Sequence, residues 1–314
     1  MKYCKTKLLA LALSLIWLPG AYAIDWSAVP GQDLVLFYPG QTSWEWQLTQ
    51  SSHSGAEKFR AGKDCHDCHK GEEQKIGDLM VSGTKAEPAA IKGKPGAIKV
   101  HVKAAHDGAR VHFRIQWDST AAGEKQSPEY AASAALMFDD GSVNAATRAG
   151  CWASCHEDLK SMPAASGEGL TKYLTTSRTK VTRQGGGESY KPQSELDAQL
   201  AAGDFLEYWQ ARMNPGLPPE LVSGHVLEKR HIDDSPAVAV DGAICTKCDK
   251  WTVDFSRPLK VSTPGHKDIV PGETYTIGFS VHDYYTDERF HYVSFAKTFV
   301  LNEGTADFVI KEMP

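Results

Sequence analysis

The sequence is short of positive charge. With 34 Lys and Arg against 39 Asp and Glu, its formal charge is −5, which makes nucleic acid or an anionic membrane surface a poor partner. It is also short of long apolar runs. Past residue 23 no stretch approaches the roughly 20 apolar residues a helix needs to cross a bilayer, so no span is expected in the mature chain. There is no convincing internal repeat. The apolar share of 41% and charged share of 23% are those of a globular protein, not of a disordered or fibrous one. At 314 residues the chain can build one large domain or two small ones, each with its own core.

Cysteine is scarce as well, with seven residues, and its placement is informative. Residues 1–23 read as a signal peptide. Lys2, Lys5 and Lys7 form a positive start, 8–18 is a short apolar run, and Ala21-Tyr22-Ala23 offers an A-x-A cleavage site after Pro19-Gly20. Cleavage would take Cys4 and three lysines, leaving a charge of −8 and a periplasmic protein. The other six cysteines stand in three close pairs: Cys65/Cys68, Cys151/Cys155 and Cys245/Cys248. In an oxidising compartment such pairs are disulfides or haem attachment points.

Cys65-His66-Asp67-Cys68-His69 is the C-x-x-C-H pattern of covalent haem c. On a helical turn, positions three and four apart share a face, so two thiols can meet two vinyl groups while His69 reaches the iron. A zinc site would need two further ligands at a matching spacing, and no second pair offers them. Cys151-Trp-Ala-Ser-Cys155-His156 is a C-x3-C-H variant, with thiols at i and i+4 and His156 as the proximal ligand. Two haems c are therefore expected, the first resting on the stronger motif. Cys245-Thr-Lys-Cys248 lacks a histidine and reads as a small disulfide loop before a strand.

An iron that only relays electrons needs a sixth ligand. His53, a little upstream of Cys65, is the candidate for the first haem. His282 or His291 is the candidate for the second, with Met137 and Met162 as alternatives and Arg289 as a partner for haem propionates. His66 faces away from its own haem on the helical argument. It and His101, His106, His112, His225, His231 and His266 are expected as ordinary surface residues. An open sixth position would instead suit a haem reductase of a small nitrogen or sulfur oxyanion, or a haem-based sensor or binding module.

The fold expectation is mainly β. Residues 33–38 read as a strand ended by Pro39-Gly40. Residues 82–95, rich in Gly, Pro, Lys and Ala, read as a linker closing an N-terminal helical and loop haem segment over 24–95. From 96 to 314 a β-sandwich is expected. Alternation marks 98–102 and 111–117 as a hairpin and 275–281 as a strand, and 134–138, 251–255, 290–301 and 307–310 are expected as further strands. A polar, partly helical insertion is expected over about 160–235. Its helix would be capped by Ser194, with Asp197 at the capping-box position and Leu206, Trp209 and Met213 at helical spacing.

Several blocks resemble cytochromes related to ethylbenzene dehydrogenase. They are Asp33-Leu-Val-Leu-Phe-Tyr-Pro-Gly-Gln-Thr-Ser-Trp-Glu-Trp, Val111-His-Phe-Arg-Ile-Gln-Trp-Asp-Ser-Thr, Gly150-Cys-Trp-Ala-Ser-Cys-His, Lys250-Trp-Thr-Val-Asp-Phe-Ser-Arg-Pro-Leu and His282-Asp-Tyr-Tyr-Thr-Asp-Glu-Arg-Phe-His-Tyr-Val-Ser. The resemblance implies a β-sandwich haem domain like the electron-relaying haem subunit of molybdenum enzymes of the dimethyl sulfoxide reductase type. It implies redox protein partners, either a membrane-anchored quinol-oxidising cytochrome or a molybdenum enzyme. That subunit holds a b haem through methionine and lysine. Here the C-x3-C-H motif lies in the domain, so a covalent c haem is expected.

Overall fold

The computed structural model describes residues 24–119, 129–150, 173–180, 190–245, 249–283 and 290–313. Thirteen strands run through them: β1 (Gly31–Phe37), β2 (Ala97–His106), β3 (Arg110–Asp118), β4 (Ala132–Asp139), β5 (Leu206–Met213), β6 (Glu220–Val226), β7 (Arg230–Ile232), β8 (Ala239–Cys245), β9 (Lys250–Pro258), β10 (Thr274–Asp283), β11 (Tyr292–Val293), β12 (Lys297–Leu301) and β13 (Phe308–Ile310). Between them lie α1 (Trp44–Leu48), α2 (Ala56–Arg60), α3 (Cys65–His69), α4 (Glu73–Val81), α5 (Asn144–Ala149) and α6 (Gln193–Ala201). No helix among the described residues is long and apolar enough to cross a membrane.

The strands form one sheet in the order β7-β6-β5-β4-β10-β11-β1-β2-β3-β9-β8, with β12 pairing the other end of β10 and β13. Only the β12–β13 pair is parallel. The sheet folds over itself. Phe113 of β3 meets Trp209 of β5 at 6.2 Å between ring centroids and Phe279 of β10 at 6.4 Å. Five strands separate β3 from β5 in the order, which in a flat sheet is nearly 30 Å at about 4.8 Å per strand. The fold is thus a β-sandwich, and period two writes its core. Val111, Phe113, Ile115 and Trp117 of β3 and Trp251, Val253 and Phe255 of β9 turn inward against Tyr275, Ile277, Phe279 and Val281 of β10.

Strand β4 is buried along its whole length. Leu136 and Phe138 join the main core. Ala135 and Met137 join a second core on the outer face, with Tyr173, Leu174, Leu196 and Tyr208. A third small core, also on the outer face, packs Phe59 and Ala149 onto Phe37 of β1 and onto Val293 and Phe295.

Three differences from the sequence reading have physical reasons. Residues 206–213 are strand β5 and not the end of a helix; the helix stops at Ala201 and its N-cap is Pro192, not Ser194. Both faces of β5 are covered, so Leu206, Trp209 and Met213 show no period-two signal. Strands β5 to β7 therefore continue the sheet through 206–232, which was expected as insertion. The run 290–301 is two strands, because the Ser294 N–H donates to Phe279 O at 2.9 Å while Ser294 Oγ accepts from Phe279 N–H at 3.0 Å, bending the chain. Finally β1, from the 24–95 segment, is an interior strand between β2 and β11, and Lys94 at the end of the expected linker is buried over Tyr292, 3.7 Å from its ring centroid.

Candidate cofactor site

The segment Asp64–His69 builds its own turn. Asp64 Oδ1 accepts the N–H of Asp67 at 2.7 Å, and Asp67 Oδ2 accepts the N–H of Asp64 at 3.2 Å. This is a reciprocal capping box with Asp where Glu is usual. It fixes α3, whose Cys65 and Cys68 are free thiols. Burial pushes the Cys65 thiol up to about 12, helped by the Asp64 carboxylate. Among the described residues no three His, Cys, Asp or Glu side chains converge as a metal-ion site.

Cys65, Cys68 and His69 line one cavity of about 410 Å³, within the usual size of a ligand pocket. His53 lines the same cavity. Phe37, Phe59, Ile76, Met80 and Phe295 make its apolar sides, and the exposed Lys58, Lys63 and Lys85 stand at its mouth. His66 is not part of the lining; its ring packs edge-on against Phe295 at 5.3 Å.

The two histidines of the cavity are held alike. His53 Nδ1 lies 3.0 Å from the Gln47 carbonyl, and His69 Nδ1 lies 3.1 Å from Glu72 Oε2. An Nδ1–H donated to an oxygen sets the tautomer that leaves Nε2 for a metal, and neither Nε2 has a hydrogen-bond partner among the described residues. Their ring centroids are 6.2 Å apart. One iron between two imidazoles asks for about 6 Å, since a metal–imidazole bond is about 2 Å and the ring centre lies about 1 Å behind its nitrogen. Burial, opposed by the bond to Gln47, lowers the His53 pKa and keeps the ring neutral. The residues present fit a haem held by Cys65, Cys68, His69 and His53.

A sleeve of contacts positions His53. Trp46 stacks on its ring at 5.5 Å. Ser43 caps α1, and Glu45 of α1 makes a 2.5 Å ion pair with Arg178, both almost fully buried. Gly55 faces the ring; a Cβ there would come within 3.1 Å of His53 Nε2. Arg148 ties α5 to the same region through the Phe59 carbonyl and, at 2.9 Å, the Lys63 carbonyl. Gln47 is 3% exposed, lines the cavity, and has no hydrogen-bond partner for either amide atom among the described residues. Leaving such a group unsatisfied costs about 1–3 kcal/mol, which points to a partner in whatever fills the cavity.

Residues 25–240 match the family model described as Ethylbenzene dehydrogenase. The chain belongs to the ethylbenzene dehydrogenase family. Within this family resemblance its curated relatives include Cytochrome c-552 of Stutzerimonas stutzeri, 33% identical over 275 residues, which cover 86% of this chain and 84% of the relative. Cytochrome c-551 of Rhodocyclus tenuis is 29% identical over 279 residues, 87% of this chain and 92% of the relative.

In this member of the ethylbenzene dehydrogenase family, Cys151, Cys155, His156, Met162, Cys248 and Arg289 lie outside the described residues. Cys245, at the end of β8, is disulfide-bonded. Met137 packs in the second core. His282 and His291 come together, with ring centroids 4.9 Å apart. His282 stands opposite Ser133 on β4, and its Nδ1 is 3.1 Å from Ser133 Oγ. A buried chain feeds that contact: Tyr208 Oη donates to Gln210 Oε1 at 2.7 Å, and Gln210 Nε2 donates to Ser133 Oγ at 3.1 Å. Lys94 Nζ donates to the Phe290 carbonyl at 3.0 Å and lies over Tyr292, thereby gripping both neighbours of His291. Trp117 Nε1 donates to Asp283 beside His282 at 3.2 Å.

Of the histidines expected at the surface, His106 and His225 are buried, and the half-buried His266 has its side chain covered. His266 bridges Glu207 at 3.1 Å and Asp233 at 3.3 Å. Glu207 also accepts from Arg257, Trp209 and the Lys267 N–H. Sequence reasoning missed Gln47, Glu72, Lys94 and Arg148. Only Glu72 carried a signal, as an acidic residue three positions after His69; it is the N-cap residue of α4, beyond the end of α3 at His69.

Proposed function

We propose that this chain is an exported dihaem cytochrome c that moves electrons in the periplasm between a quinol-linked or other redox protein and a terminal reductase or dehydrogenase. The observation that carries the reading is the shared cavity of Cys65, Cys68, His69 and His53, with both imidazoles anchored through Nδ1. The names of the relatives, both cytochromes c, support the same cofactor. A bis-histidine iron has no open position, which favours electron transfer over catalysis.

The second haem belongs to Cys151, Cys155 and His156, with His282 or His291 as its distal ligand. Support comes from the placement of that pair. Phe37, in the first cavity wall, stands in register with Val293, and Val293 with Ser280, two residues from His282. Two strand spacings make about 10 Å, so Phe37 of the first cavity and His282 share the outer face of β1, β11 and β10. Residues 24–95 supply the first haem group as well as β1, and 96–314 supply the rest of the sandwich. A signal over 1–23 accounts for export.

The test is an intact mass of the protein exported by a host that matures cytochromes c, paired with pyridine-haemochrome quantification. Two haem masses that survive acid-acetone extraction are expected. One mass leaves Cys65/Cys68 as the sole site, and none ends the reading.

A further inference from the structure

We propose that the Gln47 side-chain amide is a hydrogen-bond donor to a carboxylate of the group that fills the cavity, a haem propionate. The inference rests on the first haem site proposed above and adds a residue to it that no motif marks. Gln47 is the second-last residue of α1. The helix turns Glu45 and Gln47 inward, an unusual pair of polar residues to bury. Glu45 is answered by Arg178. Gln47 is not answered: its Nε2 and Oε1 are both buried without a partner among the described residues, and buried amides in folded proteins are nearly always hydrogen-bonded.

The rest of the cavity describes the missing partner. Its sides are apolar and aromatic, so it takes a flat apolar body. Three cations, Lys58, Lys63 and Lys85, stand at its mouth against one lining acid, Asp64, whose carboxylate is engaged in capping α3. A cavity with greasy sides, basic groups at the mouth and one inner amide suits an apolar macrocycle bearing carboxylates. The exposed lysines can meet a carboxylate in solvent; the amide is the donor inside. Gln47 is also coupled to the iron side of the site, because its own carbonyl holds His53 Nδ1. One residue thus sets the orientation of a distal imidazole with its backbone and the protonation of a propionate with its side chain.

An amide donor stabilises the ionised carboxylate. Without it, the carboxylate takes up its proton at higher pH, and a protonated carboxyl near the iron favours the reduced haem. The experiment measures the midpoint potential of the first haem between pH 5 and 9 (a range chosen from the ordinary behaviour of carboxylates and imidazoles) in the exported holoprotein. Wild type is compared with Gln47→Met and Gln47→Glu, both close in size to glutamine. For Gln47→Met, the pH at which the potential begins to rise on acidification should move upward, with the low-spin spectrum of two histidine ligands unchanged. For Gln47→Glu the same shift should be larger, because a second carboxylate repels the first. If Gln47→Met fails to export, Gln47→Glu carries the test by itself. Potential–pH curves that superimpose on wild type overturn the inference. A change to a high-spin spectrum also overturns it, since the residue then acts only through His53. Loss of the thioether-bound haem mass from the wild-type protein is a different result, and it would remove the proposed function instead.

Discussion

His53 and His69 face the same cavity with ring centroids 6.2 Å apart, each with Nδ1 held by an oxygen of its own neighbourhood, the Gln47 carbonyl and the Glu72 carboxylate. The two rings come from different local structures, a loop after α1 and the end of α3, so each can be removed separately. His53→Ala should keep the haem, which the thioethers retain, but open one iron position. The reduced protein should then bind carbon monoxide and show a high-spin band that wild type lacks. Glu72→Gln should leave ligation intact and raise the potential, because a carboxylate makes the proximal imidazole more electron-rich. A wild-type protein that binds carbon monoxide as readily as His53→Ala would remove His53 from the iron.

Gly55 offers a subtler change at the same place. Its φ of −82° suits any residue, so Gly55→Ala costs no backbone strain. The added Cβ would lie 3.1 Å from His53 Nε2 and 3.2 Å from its Cε1, tight enough to shift the ring by a few tenths of an ångström. Thermal stability should change by less than about 1 kcal/mol. The near-infrared and electron paramagnetic signatures of bis-histidine haem should move, since both report the angle between the imidazole planes. Identical spectra would show that the ring has room to spare.

The buried chain Tyr208–Gln210–Ser133–His282 makes a prediction for the second site. Ser133→Ala removes the contact to His282 Nδ1 and leaves Gln210 Nε2 without its acceptor. Tyr208→Phe removes the far end of the chain and leaves the near contact intact. If His282 is an iron ligand, Ser133→Ala should alter the spectrum and potential of one haem out of two, and Tyr208→Phe should do so weakly. Both variants should lose on the order of 1–2 kcal/mol of stability. Equal stability loss with both haem spectra unchanged would make the chain a structural network, leaving His291 as the candidate.

Much of the sheet was legible because its strands have one covered face. Strands β3 and β9 alternate strictly, as does the first part of β2, and that alternation is what the folded sheet buries. Where both faces are covered, the signal vanishes. Leu206, Trp209 and Met213 stand in β5 at intervals that imitate a helix, although neighbours on the two sides go to different cores. Strand β8 was invisible for the opposite reason, lying at the sheet edge with alternate residues exposed. At the cavity, the C-x-x-C-H spacing names three residues from local geometry, and His53 follows from nearness in the chain. Lys94 and Arg148 act on segments 196 and about 89 residues away, and no local pattern could reveal them.

The buried histidines beside β6 make a prediction about pH. Burial, reinforced by the neighbouring His231, lowers His225 from the usual 6.5 to about 4. Its ring stacks on His231 at 4.5 Å and meets Phe205 at 5.5 Å. Between about pH 6.5 and 4 the unfolded chain carries a proton on this imidazole that the folded chain does not. Unfolding therefore takes up a proton, so acid promotes it. The stability is fully present above 6.5, falls through this window and is flat below it, the whole fall being on the order of 3 kcal/mol. His266 works the other way. Burial opposes its charge, but the hydrogen bond and the charge of Glu207, with Asp233, outweigh burial and raise its pKa. Its contribution is fully present below 6.5 and is lost as pH rises through the folded value. Denaturant unfolding from pH 4 to 8 should therefore show greatest stability near the middle of the range. His225→Asn should flatten the acid limb and leave the alkaline limb alone, and His266→Asn should do the reverse. An acid limb of unchanged slope in His225→Asn would assign the loss to carboxylates elsewhere in the fold.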